Sequence, residues 1–295
     1  QARRGQASLR TASSMTIFEA RVAIEERLTD AAVPSPAAEA FQLLEAALRC
    51  SRSELLMAGN RRLDQDEADR LDALVIRREA REPLQHVIGY SCFYGLELQV
   101  DRRVLVPRPE TERLVELVLT ELKAAAAPHP VVLDVGVGSG AVALAVKAEL
   151  PDAEVWGSDV SLDALAVATA NAMRLGMDVS FIHSDLLASE EARVVARRAR
   201  VLVANLPYLP DADADLLEPE AAADPAMALF GGPDGTALAA RLVAQAWELL
   251  PTGALLALEL DPRNVHRLAA KLAGWQGVTV HPDLVARPRY LLAHR

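Results

Sequence analysis

The run Val131–Val135 passes directly into Gly136-Val137-Gly138-Ser139-Gly140, and that junction constrains the fold more than any other part of the chain. A short, nearly continuous apolar run is what a strand covered on both faces requires. Glycines at its end let the backbone turn tightly into a helix and let a ligand approach the main chain. Further strands are expected at 154–157 leading into Asp159, at 179–183, at 201–204 and at 254–260. Helices are expected after Gly140, at 162–175 and at 238–250. Alternation of this kind predicts an α/β fold, a parallel sheet with helices on both faces. Residues 278–281 and 290–293 read as a closing hairpin.

The first part of the chain reads differently. Thr16-x-x-Glu19, Ser51-x-x-Glu54 and Asp64-x-x-Glu67 are capping-box patterns that open helices. Ile17, Ala20, Ile24 and Leu28 recur at helical spacing, as do Phe41, Leu44 and Leu48, and then Leu71, Leu74 and Val75. Ser35 and Pro36 are placed as cap and first residue of the second helix. Four short helices make a small bundle suited to recognition. The stretch 87–107 is rich in aromatic and β-branched residues, with Gly89 and Gly95 as turn points, and is expected to be a hairpin linking two domains. A helix from about Glu110 to Ala126 follows. The expected domains are therefore a helical substrate-recognition domain over 15–86, a hairpin linker over 87–107 and a catalytic domain over 108–295.

The chain has 295 residues, a 51% hydrophobic fraction and a formal net charge of -10. That charge argues against a carpet of phosphate contacts, so no direct nucleic-acid binding is expected. No apolar run reaches membrane-spanning length. Residues 1–14 are polar and patternless, and read as a disordered or non-native leader, with Met15 as the expected start. Cys50 and Cys92 form no paired motif, which suits reduced thiols acting as small apolar fillers in a cytoplasmic protein.

Gly136-x-Gly138-x-x-Ala141 also satisfies a dinucleotide pattern, and Asp159 after the second strand can accept from ribose hydroxyls of either NAD or S-adenosylmethionine. Three features favour S-adenosylmethionine. Asp134 stands where it can attract a cationic amino group. Asp185, after the third strand, can meet an adenine amino group. Asn205-Leu206-Pro207-Tyr208, after the fourth strand, has no role in hydride transfer. In that turn the Asn205 side-chain oxygen and the Leu206 carbonyl can accept the two N–H bonds of a planar amide. Tyr208 can stack on the amide plane, and Pro207 fixes the turn. The combination points to methyl transfer to an amide or amine nitrogen.

Other residues carry blander readings. The six histidines show no metal-ligand spacing, so no metal is expected. Trp156, Trp247 and Trp275 read as packing residues, the arginines of 193–200 as a solvated helix face, and Glu110 and Glu112 as capping or ion-pairing groups.

Asp134 through Gly140, Asp159, Asp185 and Asn205 through Tyr208 together resemble class I S-adenosylmethionine-dependent methyltransferases acting on nitrogen. Arg81-Glu82-Pro83-Leu84-Gln85-His86-Val87-Ile88-Gly89, Phe93-Tyr94-Gly95, Arg108-Pro109-Glu110-Thr111-Glu112 and Leu229-Phe230-Gly231-Gly232-Pro233-Asp234-Gly235 resemble the PrmC/HemK family. So do Glu218-Pro219-Glu220, Asp283-Leu284 and Arg287-Pro288-Arg289. The family methylates the glutamine of the Gly-Gly-Gln motif of class I peptide-chain release factors, in translation termination. The resemblance implies a Rossmann-like, seven-stranded, mostly parallel sheet with a C-terminal antiparallel hairpin and a small N-terminal helical bundle. It implies that Asp134, Gly136, Val137, Gly138, Ser139, Gly140, Asp159, Asp185, Leu186 and Asn205 meet the cofactor. It also implies that Asn205, Leu206, Pro207 and Tyr208 hold the glutamine, that Arg108 through Glu112 line the cofactor side, and that the bundle docks the release factor onto a monomer.

The sequence departs from the family pattern in three places. Leu206 replaces the first proline of Asn-Pro-Pro-Tyr, which also gives a likeness to adenine-methylating ribosomal RNA enzymes. Glu259-Leu260-Asp261 lacks the usual glycine, and Ala286 stands where glycine is common. A ribosomal-protein glutamine or an adenine is the alternative acceptor.

Overall fold

The structure, a computed structural model, describes residues 15–125 and 128–295. The leader expected at 1–14 and the helix end expected at Ala126 lie outside the described residues. The chain forms two compact units. One runs up to Gly89 and takes in Pro219–Ala223; the other comprises Tyr90–Glu218 and Asp224–Arg295.

The first unit holds α1 (Ile17–Asp30), α2 (Pro36–Leu48), α3 (Arg52–Met57), α4 (Gln65–Glu79) and α5 (Leu84–Ile88). Reciprocal capping boxes open α1, α3 and α4 at Thr16, Ser51 and Asp64. Ser35 stands at the N-cap of α2 but makes no capping bond, so the preset φ of Pro36 starts that helix. Ile24, Leu28, Leu43, Leu44, Leu71 and Val75 form the core. Phe41 lies at its edge under the guanidiniums of Arg21 and Arg52, at 5.5 and 4.5 Å. The helix α5 falls where the strand-rich stretch was expected to begin. Gly89, with φ 88, ends this helix instead of turning a hairpin.

The second unit opens with β1 (Tyr90–Phe93) and β2 (Leu96–Gln99), an antiparallel pair turning through Tyr94 and Gly95. Alternation along β1 buries Ser91 and Phe93 and leaves Cys92 exposed, so Cys92 is not the apolar filler expected of it. Then come α6 (Pro109–Ala125), β3 (Val131–Val135), α7 (Ala141–Glu149), β4 (Glu154–Asp159), α8 (Leu162–Leu175), β5 (Val179–His183), α9 (Glu190–Ala196) and β6 (Val201–Asn205). The short α10 (Pro219–Ala222) belongs with the first unit. α11 (Ala237–Leu249), β7 (Leu255–Glu259), α12 (Val265–Ala269), β8 (Gln276–Pro282) and β9 (Pro288–His294) complete the chain.

The sheet has seven strands in the order β5-β4-β3-β6-β7-β9-β8. The strands β3 to β7 run parallel, and β9 pairs antiparallel with both β7 and β8. Period-two alternation sorts the central strands into two cores. Val132, Val201, Val203, Leu255 and Ala257 face α6, α7 and α8. Leu133, Val135, Leu202, Ala204, Leu256 and Leu258 face α9, α11 and α12. Trp247 and Trp275 pack in the second core, ring centroids 5.6 Å apart. Strand order reverses between β3 and β6, and a parallel sheet opens a ligand crevice at such a switch point. Among the described residues no helix is long and apolar enough to cross a membrane.

Candidate active site at the switch point

The glycine turn leaves β3 and is fastened to β4: Gly136 N and Val137 N both donate to Ser158 O, at 2.8 and 2.9 Å. Gly136 and Gly138 take φ values of 79 and 54, a region that an L side chain adopts only with strain. A Cβ on Gly138 would meet nothing within 4 Å, so bare backbone faces open space there. Asn171, fully buried on α8, secures the turn from behind. Its Nδ2 donates to Ser139 O and to Gln99 O, both at 3.0 Å, and its Oδ1 accepts from Gln99 N at 2.7 Å.

A cleft of about 1070 Å³, counted to its open mouth, lies over this turn. Asp134, Gly136, Val137, Gly138, Ser139, Asp159, Asp185, Leu186, Asn205, Leu206 and Pro207 line it, as do Arg108 and Thr111. Gly140 and Tyr208 are not among its lining residues. Gly140 instead stands at the N-cap of α7.

Each carboxylate is held in its own way. Asp134 is 2% exposed, and its Oδ2 accepts from Ala143 N at 3.1 Å. Burial pushes its carboxyl up to about 7, against that hydrogen bond and with a contribution from the Asp159 charge. A cation brought beside it would restore the ionised form. Asp159 accepts from Gly138 N at 3.0 Å and from Ser161 N at 2.9 Å, so it both shapes the turn and faces the cleft. Asp185 pairs with Arg241 at 2.8 Å. Leu186 is buried with φ 53, an uncommon conformation for a bulky residue.

The strand β6 ends in Asn205, whose Nδ2 donates to Thr111 Oγ1 at 3.0 Å. Leu206 is buried against the glycine turn: a Cβ on Gly136 would stand 2.8 Å from Leu206 Cδ2. Beyond the turn, Leu209 N donates to Leu229 O and Gly231 N to Leu209 O, each at 2.9 Å, which ties the loop through Gly231 and Gly232 to it. Tyr208 lies beside the charges of Glu259, Arg289, Asp261 and Arg108, and burial pushes its phenol up.

Sequence reasoning passed over Glu259, which is 1% exposed at the end of β7. Its Oε2 makes no hydrogen bond, and Arg289 Nη1 stands 3.9 Å from its Oε1. Burial pushes its carboxyl up to about 7, while the hydroxyls of Thr111 and Tyr208 and the charge of Arg289 favour ionisation. A lone carboxylate closing the apolar run 254–258 at the ligand end of a parallel strand was the available signal. Arg108, expected on the cofactor side, is among the residues lining the cleft, held at 2.5 Å by the buried Asp224. Glu112 instead accepts from Tyr94 N at 2.8 Å. Among the described residues no group of three or more metal-ligating side chains comes together.

Two family models match the chain: the PrmC N-terminal domain over residues 19–89 and the methyltransferase small domain over residues 112–215. A release factor glutamine methyltransferase of Deinococcus radiodurans is 45% identical over 271 residues, covering 91% of this chain and 95% of its own length. One from Koribacter versatilis is 38% identical over 285 residues, covering 95% of this chain and 99% of its own. Among solved structures, the hMettl16 catalytic domain in complex with an RNA hairpin superposes with a TM-score of 0.55 at 14% identity. That likeness covers 77% of this chain and 81% of the other, and concerns the fold alone. Near-complete coverage by relatives at these identities, with both family models in order along the chain, shows that it belongs to the release factor glutamine methyltransferase family.

Proposed function

We propose that this chain transfers a methyl group from S-adenosyl-L-methionine to the side-chain amide nitrogen of the glutamine in the Gly-Gly-Gln motif of class I release factors. The observation that carries the reading is the contact of the two turns in one cleft: Leu206, inside the acceptor turn, packs on Gly136, inside the cofactor turn. Family membership supports the donor and acceptor classes.

The residues present fit the cofactor. Open space over Gly138 leaves main chain for a ligand to lie against. Asp159 offers a carboxylate at the cleft wall, and the buried Asp134 gains from a cation. Bound S-adenosylmethionine supplies a methyl group activated by a sulfonium. Asn205 Oδ1 accepts one amide N–H of the glutamine and the Leu206 carbonyl the other, which aims the nitrogen. Leucine serves here in place of proline because the group required is the main-chain carbonyl. Positioning and exclusion of water supply the rate, and such effects are worth up to about 7–11 kcal/mol. The helical unit around α1 to α5 docks the release factor, and the enzyme works as a cytoplasmic monomer.

The test is transfer of labelled methyl to a purified class I release factor beside its Gln→Ala motif variant. Label in the wild-type factor alone supports donor, acceptor and partner together. Label in neither, with S-adenosylmethionine binding intact, overturns the assignment of the acceptor.

A further inference from the structure

We propose that Arg108 binds the carboxylate on the amino-acid arm of S-adenosylmethionine, with Asp224 as the positioning residue that holds the guanidinium at the cleft wall. The inference rests on the reading of the cleft given above, and it supplies a partner for the one charged cofactor group that reading leaves unassigned.

The arm carries an ammonium and a carboxylate, whose needs are opposite. Asp134 suits the ammonium. The carboxylate would meet like charge from Asp134, Asp159 and Asp185, all of which line the cleft, so it requires a donor that also brings positive charge. The glycine turn has few donors to give. Gly136 N and Val137 N are spent on Ser158 O, Gly138 N on Asp159 and Gly140 N on Val137 O.

Among the described residues two cations line the cleft, Arg103 and Arg108. Arg103 is folded back on Asp101, with Nε 2.9 Å from Oδ1 and Nη2 2.6 Å from Oδ2. Its neighbour Val104 packs with Ala164 and Val167 of α8, the helix that Ser161 caps, and Ser161 N donates to Asp159. Arg103 therefore stands toward the ribose end. Arg108 stands toward the acceptor turn: its carbonyl accepts from Thr111 N at 3.0 Å, and Thr111 Oγ1 accepts from Asn205 Nδ2 at 3.0 Å. The sulfonium must face Asn205 for the methyl to reach the acceptor. The adenosyl group leads from the sulfur to Asp159, which leaves the other side, with Arg108, for the amino-acid arm.

Asp224 makes Arg108 a fixed donor. The Asp224 side chain is fully buried; its Oδ2 accepts from Arg108 Nη2 at 2.5 Å and its Oδ1 from Val106 N at 3.4 Å. A guanidinium has five N–H donors in a rigid fork, so the bond to Asp224 fixes its plane and leaves donors for a second carboxylate. The Arg108 side chain is 39% exposed, within reach of a ligand in the cleft.

The test is calorimetry on the full chain with two ligands, S-adenosylmethionine and its decarboxylated analogue, which keeps the sulfonium, the adenosyl group and the amine. The wild type should bind S-adenosylmethionine roughly 10- to 100-fold more tightly than the analogue. Arg108→Gln should lose that preference by weakening S-adenosylmethionine alone, and its unchanged hold on the analogue shows that the cleft is intact. Asp224→Asn should narrow the preference in the same way, an effect that general destabilisation does not produce. If Arg108→Gln does not fold, Arg108→Lys decides: it keeps the charge, loses the fork and should narrow the preference. Equal binding of the two ligands by the wild type, or a preference that survives Arg108→Gln, overturns the proposal. So does Arg108→Gln with unchanged S-adenosylmethionine affinity and a raised KM for the release factor, which would put the guanidinium on the protein substrate. Failure of the wild type to bind either ligand overturns both the proposal and the reading of the cleft. A ligand preference as described, in a chain that leaves the release factor unmethylated, keeps Arg108 on the carboxylate and rejects the acceptor alone.

Discussion

Leu206 Cδ2 occupies the place a Cβ on Gly136 would need, 2.8 Å away, so the acceptor turn and the cofactor turn are in direct register. Gly136 also has φ 79. Gly136→Ala therefore brings a backbone cost of about 1–2 kcal/mol and pushes on Leu206. The expected result is weaker S-adenosylmethionine binding together with a lower kcat. Leu206→Ala removes the obstructing methyl, so the double variant should lose less stability than the two singles added together, with a coupling of about 0.5–3 kcal/mol. Strict additivity in denaturant unfolding would show that the two turns are independent.

Gly235 has a similar relationship with Tyr208. A Cβ there would lie 2.1 Å from Tyr208 O, a main-chain atom that cannot swing aside, and the residue has φ 73. Gly235→Ala is expected to shift the acceptor turn and cost about 1–3 kcal/mol. Tyr208, unlike Leu206, is not among the residues lining the cleft, so S-adenosylmethionine affinity should hold while turnover falls. Calorimetry beside a methyl-transfer assay separates the two effects; equal losses in both would argue against a local displacement.

Asp134 gives a pH signature in the protein without cofactor. Its folded carboxyl sits at about 7, raised by burial from the ordinary 3.8. The folded state therefore binds a proton that the unfolded state has already released, and stability falls as pH rises between these values, then levels off. Glu259, also at about 7, adds a decline in the same window. Asp134→Asn should flatten part of the fall in Tm between pH 5 and 8. The same change should weaken S-adenosylmethionine binding at pH 8 by roughly tenfold or more, through loss of a charge-assisted contact. A variant whose Tm profile and affinity match the wild type would remove Asp134 from the cofactor site.

What the sequence made legible was local. The capping box at Thr16 and Glu19, the strand running into Gly136 and the continuous apolar run of β6 are each written within a few residues, and each is found in the structure. The short helices were harder: α5 and α12 have five residues each, too few to set a period. Asn205 was legible from its turn, but its partner Thr111 is 94 residues away in sequence, and only packing brings them together. Glu259 went unread because a single acid at the end of an apolar strand has no pattern of its own. Its setting comes from Arg289 on β9, Thr111 on α6 and Tyr208 in the turn after β6, all distant from it in sequence.

Glu220 gives a last test, in the helical unit. It accepts from Arg81 Nε at 2.6 Å and from Arg78 Nη2 at 2.8 Å, and the Arg78 side chain is only 2% exposed. Burial pushes the Glu220 carboxyl up, but the hydrogen bonds from Arg81 and Arg78 outweigh it and hold the group at about 2. A carboxyl depressed in this way contributes stability above its ordinary 4.5, and that contribution disappears as pH falls toward about 2. Glu220→Ala leaves the Arg78 guanidinium buried with Glu39 as its remaining carboxylate partner at 2.5 Å. Loss of one partner from a buried pair costs about 3–5 kcal/mol, and the remaining Glu39 bond places the expected loss at the lower end. Urea unfolding at pH 7 should show that loss, and the difference from wild type should shrink as the pH is lowered through 3. A difference that stays constant with pH would mean that Glu220 acts through packing and not through its charge.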